Sequence, residues 1–222
     1  MRVLIIGGTG RCGKIAIDEL LSKGHQVVAL ARNPSVLGEV RTGLTVIKGT
    51  PTELSDVRAA FQPTPPDAVI VTLSAPRASD SPFAAPISPP RLLTHCNANV
   101  ITAMKQYGVR KVVVLQAFGV GESWDNMSCV LRLLMGKSNM SYQYDDHNAT
   151  AKVVKESGLD YVLVWPSRLV ETNEKDVKVW PKNGKGVPLM ATASRVGVAQ
   201  FLVEATESDR WDRSAAVITT SH

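Results

Sequence analysis

The sequence predicts a single α/β domain built on a mostly parallel, doubly wound β-sheet. Two observations carry this prediction: apolar, β-rich segments alternate with segments of helical periodicity, and the strand segments are continuous Val/Ile/Leu runs. Strands that are covered by helices on both faces need apolar side chains on both sides, and continuous runs provide them. With 222 residues and 44% hydrophobic content, the chain can bury one sizeable core.

The elements follow in a regular order. The first strand is RVLIIG, and a helix over about residues 13–23 leads to the second strand, QVVALA. The strand LTVIKG, a helix in SDVRAAF and the strand DAVIVTLS continue the alternation. A proline-rich segment, a helix in RLLTHCNANVITAMKQYG and the strand KVVVLQA come next. A helix over about residues 145–157, with Asp145 and Asp146 as acids complementing its dipole, precedes the strand YVLVWP. A last helix from Ser194 and the strand AAVITT complete this succession of βαβ units.

The first strand ends in a glycine-rich turn, GGTGRCG. Its spaced glycines let the backbone bend tightly, bring N–H groups close to a pyrophosphate and begin a helix whose positive end faces the anion. Strand, glycine turn, helix and second strand occupy about 32 residues, which is typical of dinucleotide-binding units. We therefore expect a Rossmann-type fold whose turn contacts the cofactor through Gly7, Thr9, Gly10, Arg11, Cys12 and Gly13.

The end of the second strand decides between NAD and NADP. An acid at this point would bind the ribose 2′-hydroxyl, whereas an arginine accommodates a 2′-phosphate. The strand ends at Ala31 and is followed by Arg32, while Asn33 and Ser35 add small polar groups. Arg11 in the glycine turn offers a second cation. The sequence therefore predicts NADPH, with Arg32 on the 2′-phosphate; a solvated surface role is the alternative for both arginines.

Two segments fall outside the alternation. Residues 75–90 carry five prolines and form either a crossover loop or a lid over the crevice at the carboxyl ends of the strands. Residues 119–143 contain an apolar helical piece, CVLRLLM, which is either a packing helix or a hydrophobic substrate wall. We expect one NAD(P)-binding domain over residues 1–222, with a substrate crevice formed by loops 75–90, 117–146 and 165–190.

Composition and charge narrow the function classes. The chain contains neither a run of ~18 uncharged apolar residues nor a signal-peptide pattern, so we expect a cytoplasmic protein that does not bind membranes. Cys12, Cys96 and Cys129 are far apart and form no C-x-x-C or Cys/His cluster, which predicts free thiols and no metal site. The net charge of +5 comes from scattered Lys and Arg residues, which favours a small-molecule substrate over nucleic acid.

These motifs together resemble a known family. The sequence resembles the atypical short-chain dehydrogenases/reductases with NAD(P)H-binding, NmrA-like domains, and among them those that reduce flavins and biliverdin. The resemblance extends over GGTGRCG, ALARNPS, DAVIVTL, MKQYGVRKVVVLQAFGVG, DDHNATAKVVKESGLDYVLVWPSRL and ATASRVGVAQFLVEA. The most specific piece is DDH, followed five residues later by Lys152 and then by ESGLDYVLVWP. The resemblance implies a monomer or weak homodimer that binds NADP and passes hydride to a flat conjugated acceptor.

The sequence departs from that family at positions that bear on its chemistry. Gln116 stands where many relatives have serine, and Asn148 precedes Lys152 by four residues, where a Tyr-x-x-x-Lys pair would place its tyrosine. Lys152 is therefore interpreted as a helix-surface residue. Thr50 stands where relatives often have Asp near the adenine, and Trp165 stands where they often have Arg.

The remaining candidate residues lie near the ends of the fourth, fifth and sixth strands. Gln116 can donate a hydrogen bond to the substrate or to the nicotinamide amide, or can simply end its strand, while His147 can relay a proton or be structural. We predict these two residues as catalytic. The predicted substrate contacts are Phe118, His147, Trp165 and Arg168, since an aromatic ring can stack on a planar acceptor. Beyond the glycine turn and Arg32, the predicted cofactor contacts are Thr50, Leu73, Ser74, Ala75, Ala117, Phe118, Trp165 and Pro166.

We expect an NADPH-dependent oxidoreductase that transfers hydride to a planar conjugated small molecule of the flavin, quinone, tetrapyrrole or enone type. Such an acceptor delocalises charge, so a flat pocket over the nicotinamide suffices without a group that protonates an alkoxide. Two alternatives stay open. One is a redox-neutral isomerase, cyclase or dehydratase on the same fold, and the other is a non-catalytic, NADP-sensing regulator of the NmrA-like kind.

Overall fold

A computed structural model describes residues 1–39, 41–79 and 81–221, which form strands and helices in alternation. The strands are β1 (Arg2–Ile6), β2 (Gln26–Ala31), β3 (Leu44–Lys48), β4 (Ala68–Val71), β5 (Lys111–Leu115), β6 (Asp160–Pro166), β7 (Arg168–Val170), β8 (Val177–Trp180), β9 (Thr192–Ser194) and β10 (Ser214–Thr220). The helices are α1 (Arg11–Ser22), α2 (Leu54–Ala59), α3 (Leu92–Tyr107), α4 (Cys129–Gly136), α5 (Met140–Lys155) and α6 (Arg195–Glu207). Short 3-10 turns lie at Pro34–Leu37, Gly121–Asn126 and Asp209–Trp211.

The main sheet has the strand order β3-β2-β1-β4-β5-β6-β10-β8. Its strands are parallel from β3 to β10, and β8 pairs antiparallel with β10. β7 and β9 form a separate parallel pair. The chain winds outwards from β1 in one direction and from β4 in the other, so a crevice opens outside the carboxyl ends of these two neighbouring strands. The predicted Rossmann-type, doubly wound fold is confirmed.

Both faces of the sheet are covered by helices, as the continuous apolar strands predicted. In β1, Val3 and Ile5 point to the layer of α1 and α6, whereas Leu4 and Ile6 point to the layer of α2, α3 and α5. All four side chains are fully buried. Each such side chain contributes about 1.5–3 kcal/mol of hydrophobic stabilisation. The core therefore holds the carboxyl ends of the strands, and the loops that follow them, in fixed positions.

α5 begins at Met140 rather than near residue 145, so that Asp145 and Asp146 lie inside the helix and not at its N-terminus. Asp146 instead serves the neighbouring helix. Its carboxylate accepts hydrogen bonds from the amide of Leu93 at 2.8 Å and from that of Thr94 at 2.9 Å, in the first turn of α3. The expected interaction of an acid with a helix dipole is present, but between two helices rather than within one.

The proline-rich connection between β4 and α3 lies against the start of α5. The side-chain amide of Gln143 donates to the carbonyl oxygen of Ala75 at 2.9 Å, and that of Asn139 donates to the carbonyl oxygen of Phe83 at 2.9 Å. These contacts attach the connection to the helix that carries His147. Its role as a lid stays a prediction.

The predicted apolar piece CVLRLLM does form a helix, α4, but every one of its residues keeps some exposure. Val130 is 61% and Leu133 is 58% exposed, so much of its apolar surface faces solvent. Neither the packing role nor the role as a substrate wall is settled by this arrangement. Within the described parts of the chain, α4 and the other helices are all too short or too polar to cross a membrane.

Candidate functional site

The glycine-rich turn joins β1 to α1 at the carboxyl edge of the sheet. Gly7 has a φ of +93°, a conformation that L side chains rarely adopt, and a Cβ there would lie 2.8 Å from the backbone carbon of Thr72. A Cβ on Gly13 would lie 2.3 Å from the carbonyl oxygen of Gly7. The amide of Gly10 donates to that same oxygen at 2.9 Å and closes the turn. These glycines are therefore required for the close approach of backbone to backbone.

The N-terminus of α1 is suited to an anion. The helix begins at Arg11, two residues earlier than predicted, and the residue before it, Gly10, carries no side chain that could cap it. The first amides of a helix have no partner within the helix, and the helix dipole adds positive potential at the same place. The turn thus presents a backbone cradle of uncapped amides that suits a pyrophosphate, and the absence of side chains at Gly7 and Gly13 allows the close backbone packing that forms it.

A crevice next to this turn brings together many of the predicted cofactor contacts. It lies between the glycine turn, the ends of β2, β3 and β4, and the start of α3. Six predicted residues line it: Gly7, Thr9, Arg32, Thr50, Leu73 and Ser74. The structure adds Leu30, Ala31, Pro51, Thr52, Pro76, Leu92, Leu93 and Cys96, which the sequence analysis missed. The three residues from α3 come from a distant part of the chain, and only the packing of that helix reveals them.

Arg32 lies in the wall of the crevice where the second strand ends. Burial raises the pKa of the nearby Cys96 thiol to about 11, the carboxylate of Asp146 also raises it, and the charge of Arg32 lowers it. The guanidinium of Arg32 is thus close enough to affect a group inside the crevice. Among the residues described as lining the crevice, this arginine is the only charged one and contributes positive potential, while the carboxylate of Asp146, outside the lining, acts on the same thiol in the opposite direction.

Arg11 is held beside the glycine turn by a carboxylate. Its Nη1 donates to Oε1 of Glu171 at 3.2 Å, and the same oxygen accepts a hydrogen bond from Nε of Arg195 at 2.6 Å. Arg195 also contacts the thiol of Cys12 at 3.5 Å. The Arg11 side chain is 64% exposed, and exposed ion pairs contribute only about 0–1 kcal/mol. Arg11 can therefore turn from Glu171 to a phosphate at small cost.

Gln116 follows β5 with both ends of its side-chain amide engaged. Its Nε2 donates to the backbone carbonyl of His147 at 2.7 Å, and its Oε1 accepts a hydrogen bond from the indole N–H of Trp165 at 3.0 Å. Gln116 is 6% exposed and Trp165 is 0% exposed. The predicted ligand contacts of these two residues are the amide of Gln116 and the ring face of Trp165. In this arrangement the amide is engaged by protein groups, and the indole has no accessible face.

His147 lies on α5 with its Nδ1 buried and, among the described residues, without a hydrogen-bond partner. Burial lowers the pKa of this imidazole to about 4, although the neighbouring Asp146 acts in the opposite direction. The ring is therefore neutral at pH 7. A neutral imidazole can accept or donate a hydrogen bond, and its predicted role as a proton relay stays a prediction.

The other groups that carry carbonyl chemistry in related enzymes are absent or engaged here. The phenol of Tyr144 donates to the carbonyl oxygen of Phe118 at 2.8 Å, and burial raises its pKa to about 12. Asn148 accepts a hydrogen bond from the amide of Gly121 at 2.8 Å. Lys152 has a side chain that is 75% exposed, as its interpretation as a surface residue requires. Of these groups, the phenol of Tyr144 and the amide oxygen of Asn148 are therefore engaged in hydrogen bonds, and Lys152 is turned to solvent.

The remaining predicted residues lie together at the ends of β5 and β6, outside the crevice that Arg32 lines. The amide of Phe118 donates to the carbonyl oxygen of Pro166 at 2.9 Å, which joins the two strand ends. Phe118 is 7% exposed, whereas Arg168 on β7 is exposed. The structure thus places the predicted residues in two groups, one at the turn and the ends of β2–β4, the other at the edge of β5 and β6 with Ala117 and Gln116.

Comparison with known proteins agrees with this geometry. The family model described as NAD(P)H-binding matches residues 7–209. The photosystem II assembly factor Ycf39 from Synechocystis sp. is 25% identical in an alignment of 218 residues that covers 94% of this chain and 59% of that protein. The chain thus spans less than two thirds of the length of this relative.

Solved structures share the fold at lower identity. ChuY from Escherichia coli O157:H7, named an anaerobilin reductase, superposes with a TM-score of 0.76 at 16% identity, over 99% of this chain and 97% of that chain. A short-chain dehydrogenase/reductase from Veillonella parvula DSM 2008, in complex with NADP, has a TM-score of 0.77 at 14% identity, over 98% of this chain and 94% of that chain. The match of this family model over residues 7–209, together with the glycine turn and the crevice, shows that the chain belongs to the NAD(P)H-binding family.

Proposed function

We propose that the protein is an NADPH-dependent oxidoreductase that transfers hydride to a planar conjugated small molecule. One observation carries this proposal: at the edge of β5 and β6, the described side chains that could protonate a substrate are engaged in hydrogen bonds, neutral or turned to solvent. Reduction of an isolated carbonyl places negative charge on one oxygen and needs an acid beside it. A flavin, quinone, tetrapyrrole or enone spreads that charge over its conjugated system and can take its proton from water.

The cofactor is held by residues on the turn and in the crevice. The backbone of residues 7–13 and the side chain of Arg11 bind the pyrophosphate, and Arg32 binds the 2′-phosphate, which is the reason for preferring NADPH to NADH. Thr50, Leu73 and Ser74 contact the adenosine half, together with the α3 residues of the crevice wall. When bound, the reduced nicotinamide supplies the hydride.

The substrate lies at the edge of β5 and β6, against the loops 75–90, 117–146 and 165–190. Phe118 and the exposed Arg168 contact it, and the neutral imidazole of His147 gives it one hydrogen bond and no proton. Among the described groups at this edge, the phenol of Tyr144 is a candidate proton donor. Its hydrogen bond to the carbonyl oxygen of Phe118 and a pKa of about 12 keep it out of the reaction. The protein therefore acts by aligning the nicotinamide with the acceptor. This alignment raises the effective molarity of the two reactants and so speeds hydride transfer.

The test is a panel of acceptors mixed with purified protein and NADPH, followed by the loss of nicotinamide absorbance. The panel includes a flavin, a quinone, biliverdin and a cyclic enone; a tetrapyrrole is included because ChuY, which shares the fold, is named an anaerobilin reductase. A simple aliphatic aldehyde serves as the matched control. We expect reduction of at least one conjugated acceptor and none of the aldehyde. Failure to reduce any conjugated acceptor above the uncatalysed rate refutes the proposal.

A second candidate is a non-catalytic, NADP-sensing regulator, and one observation favours it. Phe83, Val130, Leu133 and Tyr142 are each more than half exposed, and they lie on or beside α4 and the start of α5. Large exposed apolar side chains in one region are typical of protein interaction sites. This candidate requires tight binding of NADPH with no acceptor reduced in the same panel. A redox-neutral enzyme differs from both, because it converts its substrate without net consumption of NADPH.

A further inference from the structure

Gln116 and Trp165 form a hydrogen-bonded pair between neighbouring strand ends. The indole N–H donates to Oε1 of Gln116 at 3.0 Å, and both side chains are buried, at 0% and 6% exposure. These residues are also two of the positions at which the sequence departs from the family that it resembles. The two residues are 49 positions apart in the chain, yet they are in direct contact. We therefore treat them as one unit.

The pair contacts α5 through a backbone group. Nε2 of Gln116 donates to the carbonyl oxygen of His147 at 2.7 Å. Inside an α-helix, such a carbonyl already accepts the amide of the residue four positions on, so this oxygen is not short of a partner. The added hydrogen bond therefore does not satisfy a free group; it ties the helix to the end of β5 at His147, the residue proposed to contact the substrate.

A second contact lies about two helical turns further along α5. The ammonium of Lys155 lies 5.6 Å from the centroid of the Trp165 ring, within the range of a cation–π interaction. A Cβ on Gly121 would lie 3.4 Å from the same ring, so the loop after β5 closes over the indole. The indole is thus enclosed between α5 and this loop, and α5 is held at two points by one pair of residues.

We propose that Gln116 and Trp165 are a positioning pair. The pair fixes the distance between α5 and the ends of β5 and β6, and it thereby sets the position of the His147 imidazole. The pair touches neither substrate nor cofactor and acts through α5. This inference rests on the proposed function for its effect on turnover, but not for its effect on His147. It explains why a glutamine that looks catalytic in the sequence has no free polar atom in the structure.

Substitutions that remove the hydrogen bonds and keep the volume test the pair. Gln116→Met removes both bonds of the amide, and Trp165→Phe removes the indole N–H. Because the two share one bond and a buried hydrogen bond contributes about 0.5–1.5 kcal/mol, we expect each single variant to lower kcat for the conjugated acceptor about two- to tenfold. The double variant should be no more than about twofold worse than the poorer single variant, since coupled residues are not additive. The Kd for NADPH should stay within about twofold, because the adenosine crevice is formed by other strands.

Trp211→Phe is the matched control. It removes another indole N–H that is buried and, in the described chain, unpaired, on the opposite face of the sheet. This variant should leave kcat and the state of His147 unchanged. Thermal unfolding of all variants identifies any that fails to fold; if Trp165→Phe is lost in this way, Gln116→Met is compared with the control alone.

The titration of His147, followed by NMR, is a readout that needs no turnover. In the wild type its pKa should be about 4, as burial imposes. In both single variants it should rise towards the ordinary histidine value of about 6.5, because a loosened α5 admits water to the ring. If no acceptor is reduced but this titration shifts in both variants, the proposed function fails and the positioning pair stands. If the titration is unmoved, or if the effects of the single variants add in the double variant, the pair is refuted.

Discussion

Arg32 provides the sharpest test of how the crevice distinguishes its cofactor. The residue lies where the second strand ends, in a crevice whose other described lining residues are neutral, and its charge is felt by the buried thiol of Cys96. Replacing it by alanine removes the only cation that the described lining offers to a 2′-phosphate. We expect Arg32→Ala to weaken NADPH and to have little effect on NADH, which has a hydroxyl at that position.

The magnitude follows from the kind of bond that is lost. Hydrogen bonds to charged groups contribute about 1.5–3 kcal/mol, which corresponds to about 10- to 150-fold in Kd. Arg32 is exposed, so solvent screening places the expected loss for NADPH near the lower end, at about 10- to 30-fold. The loss for NADH should not exceed about threefold, because only the general positive potential of the crevice is reduced.

Fluorescence titration of both nucleotides, at low and at high salt, measures the effect directly. The gap between NADPH and NADH in the wild type should narrow as salt is added, since an exposed charge pair is screened. Arg110→Ala is the control: this exposed arginine pairs with Asp160 at the opposite edge of the sheet. Equal losses for NADPH and NADH in Arg32→Ala, or an equal effect of Arg110→Ala, would show that Arg32 does not recognise the 2′-phosphate.

Three further predictions concern the turn and the helices around it. Gly13→Ala should lower the affinity for NADPH more than tenfold in the same titration, because its Cβ would lie 2.3 Å from a backbone oxygen; normal binding would refute the cradle. Asp146→Ala should lower the free energy of unfolding by about 1–3 kcal/mol in denaturant titrations, because it removes the bonds to the first amides of α3; an unchanged midpoint would contradict this. His147 is harder to protonate folded than unfolded, so its contribution to stability should be lost as the pH falls from about 6.5 to about 4. His147→Gln should remove that part of the pH dependence, and parallel curves for the two proteins would argue against a buried neutral imidazole.

The fold and the cofactor end of the site could be predicted because both depend on local patterns. Continuous apolar runs require burial on two faces, and a glycine turn between a strand and a helix works through residues that are adjacent in the chain. The sequence predicts too late a start for α5, because Asp145 and Asp146 match a helix N-terminus locally, while the first turn of the observed helix, from Met140, has no acidic residue. β7 and β9 are three residues each and pair across a long connection, which no local periodicity reveals.

The chemistry at the other end of the site could not be predicted because it depends on contacts between distant parts of the chain. Nothing near Gln116 in the sequence indicates that its amide is engaged by Trp165 and by the backbone of α5. The low pKa of His147 likewise arises from burial under tertiary packing and not from its neighbours in sequence. By residue type alone, Gln116 and His147 both look reactive. Their surroundings leave His147 uncharged, and for Gln116 we propose a positioning role.

The bond between Asp146 and the start of α3 connects the two ends of the site mechanically. Asp146 holds the helix whose first residues, Leu92 and Leu93, line the crevice, and the next residue in the chain is His147, the proposed substrate contact. Displacement of α5 would therefore break or distort the hydrogen bonds at the first turn of α3 and so disturb the crevice wall. Through these bonds, a ligand that fills the crevice is expected to restrict α5 as well as α3.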